Sequence, residues 1–135
     1  MTDDVFEFVA DVDIRFRDLD PWHHVNNAVY GSYLEQARIE YMDAVLDDPL
    51  EDRDFVLAHM ELDFIQSVEY DDNMTVAVRA SDVGTSSLSL AYEVRIDGEV
   101  AATAETTQVY IVDDGPEPLP ESWRETIERF EPTLE

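Results

Sequence analysis

Asn27-Ala28-Val29-Tyr30-Gly31-Ser32-Tyr33-Leu34-Glu35-Gln36-Ala37-Arg38-Ile39-Glu40-Tyr41-Met42-Asp43-Ala44-Val45 is the stretch that decides the fold. Within it Tyr30, Tyr33, Leu34, Ala37, Tyr41, Ala44 and Val45 fall at i, i+3, i+4, i+7, i+11, i+14 and i+15. That spacing lines one face of a helix and predicts roughly five turns. Val29, Ile39 and Met42 widen the apolar face, so the helix is expected to be wrapped by other structure. Asp47-Asp48-Pro49 predicts its end, because the residue before a proline is pushed out of the α region and proline has no N–H to donate.

Around this helix the period changes to two. Upstream, Val5 to Phe16 alternates apolar with acidic residues, as in Val12-Asp13-Ile14-Arg15-Phe16, and predicts a half-buried first strand. Downstream, Phe55 to Ile65 places Val56, Ala58, Met60, Leu62 and Phe64 on one side and His59, Glu61 and Asp63 on the other. Met74 to Val83 and Ser87 to Ile96 follow, broken by Gly84. Asp97-Gly98 is a two-residue hairpin signal leading into Glu99 to Val112, which should pair antiparallel with the strand before it. Asp113 to Pro120 predicts a loop, and Trp123, Ile127 and Phe130 a short last helix. The order β, long α, four β, short α is an α+β arrangement without repeats, expected as one domain over residues 1–135. A sheet curled around a single long helix is the hotdog architecture.

Eight basic against thirty-three acidic residues give a formal net charge of −25 in 135 residues. Such a chain repels nucleic acid and anionic membranes. All eight basic residues are arginine and lysine is absent. Carboxylate self-repulsion on this scale destabilises a compact state in dilute buffer, whereas at about 1 M salt the Debye length is only ~3 Å. The composition is therefore read as adaptation to molar salt. With no cysteine, disulfides, thiolate metal sites and a cysteine nucleophile are excluded. The start of the chain lacks a basic, apolar signal peptide and no stretch approaches the roughly 20 apolar residues of a membrane span, so cytoplasmic residence is expected.

The chemistry lies between the first strand and the helix, in Arg17-Asp18-Leu19-Asp20-Pro21-Trp22-His23-His24-Val25-Asn26-Asn27-Ala28-Val29-Tyr30. This segment resembles the signature of the hydroxybenzoyl-CoA thioesterase family of hotdog proteins, Asp-x-Asp-x-x-x-His-Val-Asn-Asn-x-x-Tyr. The family follows it with a Glu-x-Ala-Arg stretch, here Glu35-Gln36-Ala37-Arg38. Weaker likeness continues through Phe64, Glu69-Tyr70-Asp71-Asp72, Gly84 to Ser87, and Asp97-Gly98 with Ala101 to Val112. The resemblance implies an acyl-CoA thioesterase with Asp20 as the catalytic carboxylate. It also implies that the N–H of Asn27 at the helix start polarises the thioester carbonyl. His24 is expected to shape the catalytic loop, and Asn26, Tyr30 and Ser87 to lie on the substrate side. The resemblance leaves open the acyl or aryl group and whether the thiol carrier is CoA or an acyl-carrier protein.

The assignment makes physical sense for a thioester. Hydrolysis needs negative charge stabilised on the carbonyl oxygen, which free N–H groups and the dipole at a helix N-terminus supply, and a carboxylate near the carbonyl carbon. Asp20 could act as a base toward water or attack as a nucleophile. Asp18 is expected to shape the turn, Asn26 or Asn27 to cap the helix, and Glu35 with Arg38 to form a structural ion pair. His59, Glu61 and Asp63 are assigned no metal, and no cofactor is expected. Arg53, Arg79 and Arg95 are the candidate contacts for the phosphates of CoA. A domain this small with an open sheet edge is expected to form a homodimer or homotetramer. Two rival readings are a hotdog enoyl-CoA hydratase or dehydratase with Asp20 and His24 as its acid and base, and a non-catalytic acyl-CoA-binding protein.

Overall fold

The computed structural model describes residues 6–46 and 54–131. The helix stop at Asp47-Asp48-Pro49, the strand start at Val5 and the arginine Arg53 lie outside the described residues. In chain order the elements are β1 (Phe8–Asp11), two short 3-10 turns (Phe16–Asp18 and Asn27–Val29), α1 (Tyr30–Val45), β2 (Phe55–Phe64), β3 (Met74–Val83), β4 (Ser87–Ile96), β5 (Glu99–Val112), β6 (Gly115–Pro116) and α2 (Glu121–Phe130). The sheet runs β1-β3-β4-β5-β2, antiparallel throughout, with β6 on β5. One long helix lies in the curl of an antiparallel sheet, which is the expected hotdog arrangement.

The buried stripe of α1 is Tyr30, Tyr33, Leu34, Ala37, Tyr41, Met42 and Val45, and it packs over β1 and β3. The sheet answers with Ala10, Val76, Val78, Ala80, Leu88, Leu90, Tyr92, Val94 and Ala102, all buried. Alternation places these on the inner face, because directly paired residues share a side of the sheet. At the β4–β5 hairpin Asp97 and Gly98 have φ of 50° and 84°. Both are left-handed, the geometry that lets a two-residue turn follow the strands' twist.

Several expectations need correction, among them the loop expected from Asp113 to Pro120, which carries the short strand β6 paired with β5. The first strand is only Phe8–Asp11; beyond Val12, whose N–H still reaches Met74 O at 3.4 Å, the chain turns off the sheet toward the loop in which Asp18 Oδ2 accepts the Arg15 N–H at 2.9 Å. Ala44 and Ile39 are exposed rather than packed, since α1 touches the sheet along a narrower strip than its apolar residues span. In β2 a bulge shifts the register between Leu57 and His59, so Leu57 pairs with Gln108 and Met60 with Thr106. Phe55 and Leu57 therefore share the inner face with Met60, Leu62 and Phe64, while Val56 turns outward with His59, Glu61 and Asp63.

Polar groups also line the interior. Arg38 Nη1 donates to Tyr92 Oη at 3.1 Å, Tyr92 Oη meets Thr106 Oγ1 at 2.6 Å, and Gln108 Nε2 donates to Leu88 O at 2.7 Å. Arg38 thus binds the sheet, not Glu35, which is exposed, and the expected ion pair is not formed. Behind α2, the buried Glu131 carboxylate accepts from Tyr41 Oη and from Ala80 N–H (2.9 Å), joining both helices to β3.

Candidate active site

The chain between β1 and α1 is folded by local bonds into a rigid loop. Bridges of Leu19 with Val25 and of His24 with Glu69 close it. Asp20 N–H donates to His24 O at 2.7 Å, Asn26 N–H to Asp18 O at 2.8 Å, and Val25 N–H to Val68 O at 2.8 Å. At the tip His23 adopts φ 68°, a left-handed conformation that costs a side-chain-bearing residue energy and is held by these surrounding bonds.

The two aspartates in this loop have different surroundings. Asp18 is buried: it accepts from Arg15 N–H, from Tyr33 Oη at 2.8 Å, and from the Arg15 guanidinium, whose Nη2 is 3.2 Å from Oδ1. Burial pushes its pKa up, but the Arg15 backbone N–H, the Tyr33 hydroxyl and the Arg15 charge together bring it below the usual carboxylate value. The same contact works on Tyr33, whose phenol is raised by burial and by bonding to the Asp18 carboxylate. Asp18 is thus an ionised tether of the loop to α1.

Asp20 is half-buried. Its Oδ1 accepts from Trp22 N–H at 2.9 Å and His24 N–H at 3.1 Å, which fixes the side chain, while Oδ2 has no partner among the described residues. Contact with His24 runs through the backbone, so the carboxylate does not orient the imidazole. Asn26 caps the 3-10 turn that leads into α1, its Oδ1 accepting from Ala28 N–H at 2.8 Å, and its carbonyl takes the Val29 N–H at 2.9 Å; α1 itself starts from Val29 without a side-chain cap. Among the described residues the N–H of Asn27 has no backbone acceptor, as is usual for the first donors of a helical segment, which lie at the positive end of its dipole.

Asp20, His24, Asn27 and Tyr30 line one wall of a cavity of about 280 Å³, and residues 64–67 line the other. Tyr30 meets Phe64 edge-on at 4.9 Å across it, and burial raises the Tyr30 phenol, keeping it neutral. Asn26 caps the turn instead of lining the cavity. Ser87 begins β4 at the β3–β4 turn, where its carbonyl accepts from Gly84 N–H, and is not brought to the cavity within one chain. Arg79 and Arg95 lie on the outer face of the sheet, stacked on the Phe6 ring at 5.6 and 5.4 Å, with Arg95 also paired to Glu93.

Sequence reading missed Ile65, Gln66 and Ser67. They carry no motif, and only the pairing of β2 with β5, which delivers Ile65 N–H to Ala101 O, brings them opposite the helix start. Among the described residues no group of three or more His, Asp or Glu is arranged to hold a metal ion, and His59 simply meets Glu61 at 2.8 Å on the exposed face. Nor is any helix among them long and apolar enough to cross a membrane.

The profile of the thioesterase-like superfamily matches residues 14–127. The chain is similar to a crystallised thioesterase from Thermus thermophilus, complexed with coenzyme A and Zn, at 43% identity and TM-score 0.89, covering 96% of this chain and 97% of that one. It is also similar to a predicted thioesterase from Bacillus stearothermophilus, at 25% identity and TM-score 0.83, covering 91% and 95%. The uncharacterised protein YsmA of Bacillus subtilis (strain 168) is 30% identical over 109 residues, covering 78% of this chain and 74% of YsmA.

Proposed function

Because the chain belongs to the thioesterase-like superfamily, we propose that it hydrolyses an acyl-CoA thioester to the free acid and CoA, with Asp20 as the catalytic carboxylate. The observation that carries this reading is the shared cavity: a carboxylate fixed through one oxygen faces the same 280 Å³ space as the start of α1. A thioester carbonyl bound there has the Asn27 N–H and the helix dipole for its oxygen. Its carbon is then open to Asp20 Oδ2 or to a water deprotonated by it. Attack gives a tetrahedral oxyanion that collapses with the C–S bond broken, and the leaving thiolate takes up the proton released by water to become CoA; where Asp20 itself has attacked, water then cleaves the resulting anhydride to the free acid and restores the carboxylate. The CoA-bound relative from Thermus thermophilus supports CoA as the thiol carrier.

The hydratase reading is less favoured, because it needs an imidazole working with the carboxylate, and Asp20 holds only the backbone N–H of His24. Release of free thiol from a panel of acyl-CoAs tests the proposal. Turnover of at least one ester is expected. Hydration of a crotonyl-type thioester without thiol release would overturn it.

The working form on this reading is a homodimer or homotetramer. β2 is an edge strand exposed on both faces, with Leu57, Met60 and Phe64 at 44, 44 and 48% exposure on the inner one. An unpaired edge carrying apolar side chains favours pairing with a second copy.

A further inference from the structure

Tyr30 is 2% exposed, and its ring is held edge-on against Phe64 at 4.9 Å and Tyr33 at 6.0 Å. Its hydroxyl nevertheless has no hydrogen-bond partner among the described residues. The other tyrosines of the core use theirs: Tyr33 donates to Asp18, Tyr41 to Glu131, and Tyr92 meets Arg38 and Thr106. Among the described residues the fully enclosed side-chain polar atoms without a partner are Arg79 Nε and Glu131 Oε1. The Tyr30 hydroxyl is not one of them, so it opens on accessible space, and the space that Tyr30 lines is the cavity of about 280 Å³ shared with Asp20 and Asn27. Burial raises this phenol, so the hydroxyl keeps its proton and can donate it to a hydrogen bond.

We infer that Tyr30 selects the acyl group, its hydroxyl donating to a neutral oxygen, keto or hydroxyl, carried on a short acyl chain. This rests on the acyl-CoA reading above and names the substrate class within it. A ligand that fills the cavity takes the Tyr30 hydroxyl out of contact with water. An all-alkyl chain then leaves it buried and unpaired, whereas an oxygenated chain restores a hydrogen bond. The oxygen has to be neutral, because Asp20 lines the same cavity and repels a second carboxylate there, as the net charge of −25 does at longer range. The chain has to be short, because the cavity lies below the roughly 300–1,000 Å³ of pockets that enclose drug-sized ligands, and the Tyr30 and Phe64 rings meet across it. The oxygen that Tyr30 reads therefore sits within a few bonds of the thioester carbonyl.

The experiment measures thiol release from 3-hydroxybutanoyl-CoA, 3-oxobutanoyl-CoA and butanoyl-CoA, equal in chain length and differing only in the oxygen, by the wild-type chain and by Tyr30→Phe. Phenylalanine keeps the ring and its contacts with Tyr33 and Phe64 and removes the hydroxyl alone. The wild type is expected to favour each oxygenated ester over butanoyl-CoA by about tenfold or more in kcat/KM, the scale of one hydrogen bond whose loss leaves a buried hydroxyl unpaired. In Tyr30→Phe that preference should disappear. A wild type without the preference, or a variant that loses activity on every ester and keeps the wild-type ratio, would overturn the inference. So would an enzyme that cleaves other acyl-CoAs and none of these, with the proposed function left intact. If no acyl-CoA is cleaved at all, the proposed function fails, and calorimetric binding of the 3-hydroxybutanoyl and butanoyl esters to the two chains still decides whether Tyr30 reads the oxygen.

Discussion

Asp18 and Asp20 are two residues apart and make opposite use of a carboxylate. Asp18 commits both oxygens to Arg15 and Tyr33 inside the protein, whereas Asp20 lines the cavity and leaves Oδ2 without a partner among the described residues. Asp18→Asn should therefore lower stability by about 2 kcal/mol, the scale of hydrogen bonds to a buried charged group, and reduce turnover far less. Its pKa is lower folded than the ordinary 3.8, so its contribution is present above that value and is lost as pH falls through the folded pKa. Urea midpoints followed downward in pH should fall more steeply below 3.8 for the wild type than for Asp18→Asn; parallel curves would refute the tether. His24→Ala should keep most of the hydrolysis, because the loop uses the backbone of His24 rather than its ring. A dead His24→Ala enzyme that still binds substrate would move the chemistry to histidine.

At the scale of elements, α1 holds the sheet by a polar chain as well as by its apolar stripe. Tyr92→Phe removes the hydroxyl shared by Arg38 and Thr106 and should cost about 1–3 kcal/mol, the penalty for leaving buried partners unsatisfied. Equilibrium denaturation measures it, and an unchanged midpoint would contradict the network. Much of this architecture is legible from spacing: Tyr30 to Val45 at helical period, Asp97-Gly98 as a hairpin, and Trp123 with Ile127 as the last helix. What spacing does not carry is contact between distant segments. The buried Thr106 and Gln108 look like solvent-facing residues of an alternating strand, and the bulge that turns Val56 outward has no local signal. Alternation through Val12 and Ile14 suggests strand, but beyond Val12 the chain turns toward the loop in which Asp18 accepts the Arg15 N–H. In the site, the motif located Asp20, His24, Asn27 and Tyr30, whereas the wall of residues 64–67 exists only through β2 pairing.

On the scale of the whole molecule, charge and the open β2 edge set the conditions for function. Screening of a −25 chain should raise the melting temperature between dilute buffer and molar KCl, and a temperature that does not move would refute the halophilic reading. Met60→Lys places a charge on the exposed inner face of β2 and should shift light scattering from an oligomer to a monomer. A wild-type monomer at micromolar concentration in molar salt would refute the assembly. The central claim, that Asp20 performs thioester hydrolysis, is tested most directly by thiol release from an acyl-CoA with Asp20→Asn, alongside substrate binding to the same variant. Asparagine keeps the carboxylate's size and can still accept the Trp22 and His24 N–H groups, but it can neither deprotonate water nor attack as an anion. Turnover is expected to fall by roughly 10²-fold or more, the usual scale for losing a general base, with binding and assembly preserved. An Asp20→Asn protein that retains most of its turnover would contradict the account.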